Sequence, residues 1–158
     1  METVISLLLE DRDYSLWVIL RQVGDLVLRA RDKELSKYGI SAVQASVLFV
    51  LDANGGKATP TEISKWLLRK HHSVLSLLDR MEKEGLVSRV RDPENSRRAN
   101  YEVTEKGQQV FSESARIESI REVMSCLGER ERRQLWSTLR KLRDIALRSA
   151  TTSEVPFP

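Results

Sequence analysis

A mainly α-helical fold with one small β-hairpin is predicted for this chain of 158 residues, and three observations predict it. Apolar residues recur at helical spacing along most of the length. The period changes once, at residues 86–90 and 99–103, to short strand-like runs on either side of a polar turn. Only 7 Gly and 4 Pro are present, too few for a turn-rich β-sandwich.

Each element has its own local reason. Residues 12–37 place Leu16, Leu20, Val23, Val27 and Leu35 among Arg and Asp, the pattern of a long amphipathic helix, and Gly39 suits a left-handed cap after it. Ser41 and Gln44 form a capping-box pair ahead of Val43, Val47, Leu48, Val50 and Leu51, and Asn54-Gly55-Gly56 closes that helix. Thr59-Pro60-Thr61-Glu62 is the strongest start signal in the chain, with Pro60 at the first helical position, where a missing N–H costs nothing. A short helix to about Leu68, a turn at Arg69-Lys70 and a further helix over residues 71–84 follow, with Gly85 as the stop. The strands at 86–90 and 99–103 flank a turn at 91–98 containing Asp92-Pro93 and Asn95-Ser96. Thr104-Glu105-Lys106-Gly107 starts a helix expected to run to about Leu127. Gly128 interrupts, and a last helix occupies 129–149 with Leu135, Leu139, Leu142 and Ala146 on one side.

Two short helices, a third helix and a hairpin, in that order, make a winged helix-turn-helix at about 41–104, flanked by long helices at about 12–37 and 108–149. With no Gly, Ser or Pro linker, residues 1–150 read as a single domain and 151–158 as a flexible tail.

Composition sets limits on function. Apolar residues at 41% and charged residues at 31% describe an ordinary globular chain, and a net charge of +3 permits an anionic partner without demanding one. One cysteine, Cys126, rules out an intrachain disulfide and makes the cytoplasm the expected compartment. The start Met1-Glu2-Thr3 lacks the basic region of a signal peptide, and no apolar run is long enough to span a membrane. There is no Gly-rich phosphate loop, no HExxH and no CxxC. Adjacent His71 and His72 lack the i, i+4 spacing of a helical metal site. No enzyme activity, cofactor or metal is expected. Cys126 is expected to be a buried small hydrophobe, and Trp17, Trp66 and Trp136 to be core residues.

The helix over 71–84 is the candidate functional element. Val74, Leu77, Leu78 and Met81 make a buried stripe, while His72, Ser73, Ser76 and Arg80 project elsewhere. A helix that reads the major groove needs this division between a docking stripe and a polar face. Leu75 lies off the stripe and suits either a thymine methyl or a neighbouring helix. Lys65, Arg69, Lys70, His71 and His72 cluster at the helix start, and the hairpin adds Arg89, Arg91, Arg97 and Arg98. From 60 to 110 there are ten Lys or Arg against eight Asp or Glu, a net of only +2, so placement rather than total charge carries the signal.

These residues resemble the MarR family of winged-helix transcriptional regulators. The likeness runs through Thr61-Glu62-Ile63, the segment from Asp79 to Arg89, Asp92-Pro93-Glu94-Asn95-Ser96-Arg97-Arg98 and Val103-Thr104-Glu105-Lys106-Gly107. It covers 59–107 well and extends to the segment from Leu127 to Leu135 at the start of the last helix. The resemblance implies double-stranded DNA as partner, with His72, Ser73 and Ser76 on bases and Arg69, Lys70 and Arg80 on phosphates. Lys65 and His71 complete the basic cluster. Arg97, with Arg98 beside it, matches the family's wing arginine, but Asn95 stands where a carboxylate usually anchors it, so the charge-assisted part of that bond is lost. The resemblance further implies a homodimer on a pseudo-palindromic operator, acting as a repressor released by a small, often aromatic effector. The large apolar surface of the flanking helices fits such pairing. Leu16, Trp17 and Leu20 are candidates for lining the effector site, against core packing as the alternative. A winged-helix protein-interaction module that has lost DNA binding is the competing function.

Overall fold

A computed structural model describes residues 4–91 and 99–150. Its helices are α1 (Val4–Glu10), α2 (Arg12–Leu35), α3 (Ala42–Ala53), α4 (Pro60–Leu67), α5 (His71–Lys83), α6 (Glu105–Ser114), α7 (Glu118–Met124) and α8 (Glu129–Ser149). Strands β1 (Lys57–Ala58), β2 (Val87–Arg91) and β3 (Ala99–Val103) form an antiparallel sheet in the order β1-β3-β2. Val87 pairs with Val103, Arg89 with Tyr101 and Arg91 with Ala99, so the hairpin register is continuous up to the edge of the described strands.

The caps form where the sequence places them. Asp11 accepts from the Tyr14 amide at the head of α2. The side chains of Ser41 and Thr59 close reciprocal capping boxes with Gln44 and Glu62. Gly39 takes φ +72° after the 3-10 turn Ser36–Tyr38, and Gly85 takes φ +75° after α5, conformations that a side chain would penalise.

The core belongs to the winged module. Helix α3 buries seven residues, including Val47, Leu48, Val50 and Leu51, against Ile63 of α4, Val74, Leu77, Leu78 and Met81 of α5, and Tyr101 of β3. By contrast α2 buries only Leu35, and the 21-residue α8 buries none. Polar bonds lock the module to its surroundings. Asp32 on α2 accepts from the Ala42 amide at 2.6 Å, and Gln44 Nε2 donates to Glu84 at 2.5 Å, tying the head of α3 to the foot of α5.

Several features differ from the sequence reading. The helix expected from Thr104 to Leu127 is broken at 115–117, so the flanking helix expected over 108–149 is three segments, α6 to α8. Tertiary contacts with α2 cause the break. Arg31 Nη2 donates to the Ser114 carbonyl at 2.8 Å, while Glu34 accepts from the Glu118 amide at 2.8 Å, the Ser119 amide at 3.2 Å and the Ser119 hydroxyl. One helix thus supplies both the stop of α6 and the cap of α7. Between them Ile117 is held at φ +48°, a strained position for a β-branched residue. Strand β1 and helix α1 were not foreseen. Lys57-Ala58 is too short to show a period and gains its structure from Tyr101 and Glu102 opposite. Cys126 is exposed rather than buried, with Sγ on the Val123 carbonyl. Trp66 packs on the core, but Trp17 and Trp136 are exposed, because no described residue covers the outer faces of α2 and α8. Among the described residues no helix is long and apolar enough to cross a membrane.

Candidate nucleic-acid interface

The site is built on the turn from α4 to α5. Helix α4 ends because Leu68 adopts φ +52°, and the Arg69 amide then returns to the Ser64 carbonyl at 3.1 Å. This left-handed residue swings the chain so that α5 starts at a new angle. Lys70 is the N-cap of α5, with extended backbone and no side-chain cap. The first turn of α5 thus has no side-chain cap and stands next to Lys65, Arg69 and Lys70, a combination that favours negative charge.

The stripe expected to dock α5 does so completely: Val74, Leu78 and Met81 are at 0% exposure and Leu77 at 4%. On the opposite face His72, Ser76, Asp79 and Arg80 are exposed, and Ser73 is half-buried on the flank. The Ser76 hydroxyl donates to the His72 carbonyl at 3.1 Å, so rotation about χ1 frees it for another partner. Arg80 makes no ion pair with any described residue, so its charge is not neutralised there by Asp79 or Glu84.

The predicted basic residues fall into two groups. Lys65, Arg69, Lys70 and His71 gather around a groove of about 550 Å³ whose other wall is Arg143, Ala146 and Leu147 of α8. His72, Ser76 and Arg80 instead run along the outward face of α5. Arg89 and Arg91 are exposed on β2, beside the start of the wing. Arg97, Arg98 and Asn95 lie outside the described residues. On β3, beside β2, burial pushes the Tyr101 phenol up, with Arg89 opposing the rise and Asp79 and Glu82 adding to it. Tyr101 is the register partner of Arg89.

Sequence reasoning missed a second feature. A cavity of about 790 Å³ opens between α2, α3, α4, α6, α7 and α8, walled by Val27, Leu28, Phe49, Trp66, Phe111 and Ile117, with Arg31 and Arg143 at its margin. Phe49 and Trp66 meet edge to face at 6.0 Å. Leu16, Trp17 and Leu20 do not line this cavity. They lie one to two turns earlier on α2 and are 67, 53 and 46% exposed, so they are not core residues of the single chain either. No local motif marks the cavity, since its walls are brought together from positions 24 to 143.

Arg31, which lines the cavity, forms a 2.7 Å ion pair with Glu34, and both side chains have little exposure. Burial by itself would raise the Glu34 pKa. Bonds from Ser119, Arg31 and the Glu118 and Ser119 amides outweigh that effect and hold it at about 2. The carboxylate is therefore ionised under all ordinary conditions and acts as a fixed cap.

A family model described as the MarR family matches residues 38–98, the stretch from the end of α2 through α5 into the wing. Over that stretch the chain is similar to the MarR family. MarR-family likeness extends beyond the matched segment. The HTH-type transcriptional regulator PecS of Dickeya dadantii is 29% identical over 124 residues, 76% of this chain and 75% of PecS. The organohalide-sensing RdhR transcriptional regulator, solved with 2,4-dichlorophenol bound, superposes with a TM-score of 0.88 at 26% identity, covering 100% of this chain and 99% of RdhR. MepR of S. aureus, solved as a DNA complex, gives 0.73 at 26% identity, covering 80% of this chain and 95% of MepR. PecS and RdhR are both transcriptional regulators.

Proposed function

We propose that the chain is a homodimeric, sequence-specific DNA-binding repressor, released from its operator by a small aromatic effector. The observation that carries the reading is the two-sided α5. Its apolar stripe is spent on the core, while His72, Ser73, Ser76 and Arg80 are left to a groove, with Lys65, Arg69, Lys70 and His71 at its positive end. Direct base contacts fall to His72, Ser73 and Ser76, phosphate contacts to the cations, and the wing contact to Arg97 and Arg98.

Pairing is supported by the outer helices. Trp17, Leu20 and Val23 on α2, and Trp136, Leu139, Leu142 and Ile145 on α8, are 39–59% exposed, large apolar side chains that a second copy would cover. We take α2 and the α6–α8 segment as the dimerisation helices of a single domain over 1–150. A two-fold axis through them sets the two α5 helices in successive major grooves, about 34 Å apart, on a pseudo-palindromic site. The apolar cavity behind α3 and α4 is of a size for a ring-containing effector, and RdhR was solved with a chlorinated phenol. A repressor of this kind acts where the DNA is, in the cytoplasm.

The test is a mobility-shift titration against duplexes selected from a randomised library, at two salt concentrations, with sedimentation of the free protein. Sequence-selective, salt-sensitive binding by a dimer is expected, and addition of chlorinated phenols or aromatic acids is expected to release the duplex. A stable monomer, or indifference to every duplex at low salt, overturns the reading in favour of the protein-interaction module.

A further inference from the structure

We infer that Leu75 is a base-reading residue that selects thymine through its 5-methyl group. The inference rests on the DNA-binding reading above and adds a specificity residue to it. Leu75 is the apolar member of α5 that the core does not use. Val74, Leu77, Leu78 and Met81 complete the buried stripe, and Leu75 is neither in the core nor among the partly buried apolar residues packed against it. It is nevertheless half-buried. It lines a surface hollow of about 410 Å³ with Pro60 and Thr61 of α4, His71 of α5, Arg89 of β2 and Ala99 of β3.

The position of the hollow points to its occupant. Leu75 follows His71 by four residues and precedes Asp79 by four, so it stands on the flank of the face that carries His72 and Ser76. The hollow lies between that face and the strands leading to the wing, where a base edge enters if α5 lies in the major groove. Leu75, Pro60 and Ala99 offer it carbon, while Arg89 and Thr61 offer donors. Glu62, also at the hollow, is held by the Thr59 amide at 2.7 Å and the Thr59 hydroxyl at 2.8 Å. Of the four bases, thymine alone presents a methyl group beside a hydrogen-bond acceptor, O4, on its major-groove edge. The carbon of Leu75, Pro60 and Ala99 beside the Arg89 donor matches that edge, and cytosine brings no methyl group to fill the carbon wall.

The experiment replaces each thymine of the selected duplex, in turn, by deoxyuridine, which removes the methyl and keeps every hydrogen bond. For the wild-type protein one thymine per half-site is expected to be sensitive. Affinity falls there about fourfold, as for one buried methyl, and about fifteenfold when both half-sites are changed. Leu75→Ala, checked by thermal melting, is expected to lose a similar factor on the thymine duplex and to bind thymine and deoxyuridine duplexes alike. Equal wild-type affinity for every deoxyuridine duplex overturns the inference without needing any variant. Full discrimination by Leu75→Ala overturns it as well, moving the methyl contact elsewhere. A wild-type protein that binds no duplex overturns the DNA-binding reading itself.

Discussion

A methyl group on residue 107 would sit 2.1 Å from the Leu86 carbonyl oxygen, 3.0 Å from Val103 Cγ2 and 3.1 Å from the Leu86 carbonyl carbon. Gly107 is the third residue of α6, and this approach lets the helix seat against the Gly85-Leu86 turn. The seat is knotted by three bonds: the Thr104 amide to the Leu86 carbonyl at 3.2 Å, the Thr104 hydroxyl to the Gly85 carbonyl at 2.6 Å, and the Gly107 amide to the Thr104 hydroxyl at 3.0 Å. In Gly107→Ala the obstacle is backbone, so no rotamer relieves it and the helix start must retreat by about 1 Å. Overpacking costs about 1–3 kcal/mol, and the rigid obstacle places this case at the top of that range. Stretching the Thr104–Leu86 bond costs about 1 kcal/mol more. The better helix propensity of alanine offsets about 1 kcal/mol. The net expectation is a loss of about 3 kcal/mol, or a urea midpoint lower by about 1–3 M at fixed protein concentration. Far-UV circular dichroism during urea titration measures it. An unchanged midpoint, or a higher one, would mean that propensity wins and that the close approach is not a constraint.

Three further outcomes follow from local contacts. The Glu34 carboxylate is held at about 2 against the usual 4.5; a depressed acid stabilises the fold above its unfolded pKa and ceases to as pH falls through the folded one. Stability should therefore drop between pH 4.5 and 2, and Glu34→Gln should flatten that part of a urea-midpoint profile; parallel profiles for the two proteins would refute the assignment. Thr59→Ala removes one half of a capping box and should cost about 1 kcal/mol in the same titration, with a change near zero arguing that Glu62 alone caps the helix. Arg97→Ala should weaken operator binding by about 1–3 kcal/mol if the wing grips a groove, as measured by mobility shift, and an unaltered affinity removes Arg97 from the interface.

The framework that carries the candidate site was largely legible in the sequence because its signals are local. A capping box needs only residues i and i+3, which is why Ser41 and Thr59 are recognisable as caps from their near neighbours alone. The buried stripe of α5 is a repeat within one helix, and all four members predicted for it are buried. The cavity behind α3 and α4 was not legible. Leu16, Trp17 and Leu20 share apolar character with its walls, and helical spacing cannot tell which turn of α2 faces α3 and α7. The break at Ile117 was equally hidden, since nothing between Thr104 and Leu127 forbids a continuous helix.

What residues adjacent in the chain decide among themselves, the order of letters determined alone: helix starts and stops, the period change into the hairpin, the division of α5 into two faces, and the family likeness carried by 59–107. Tertiary structure alone decided where the chain had to choose between equally good local options. Arg31 and Glu34 end one helix and begin the next from 83–85 positions away. Residues 57–58 become a strand because Tyr101 and Glu102 lie opposite. Leu86 makes glycine obligatory at 107. The physical reason is common to all three: backbone hydrogen bonds and close packing are satisfied by whichever group arrives in space, and sequence separation carries no record of that arrival.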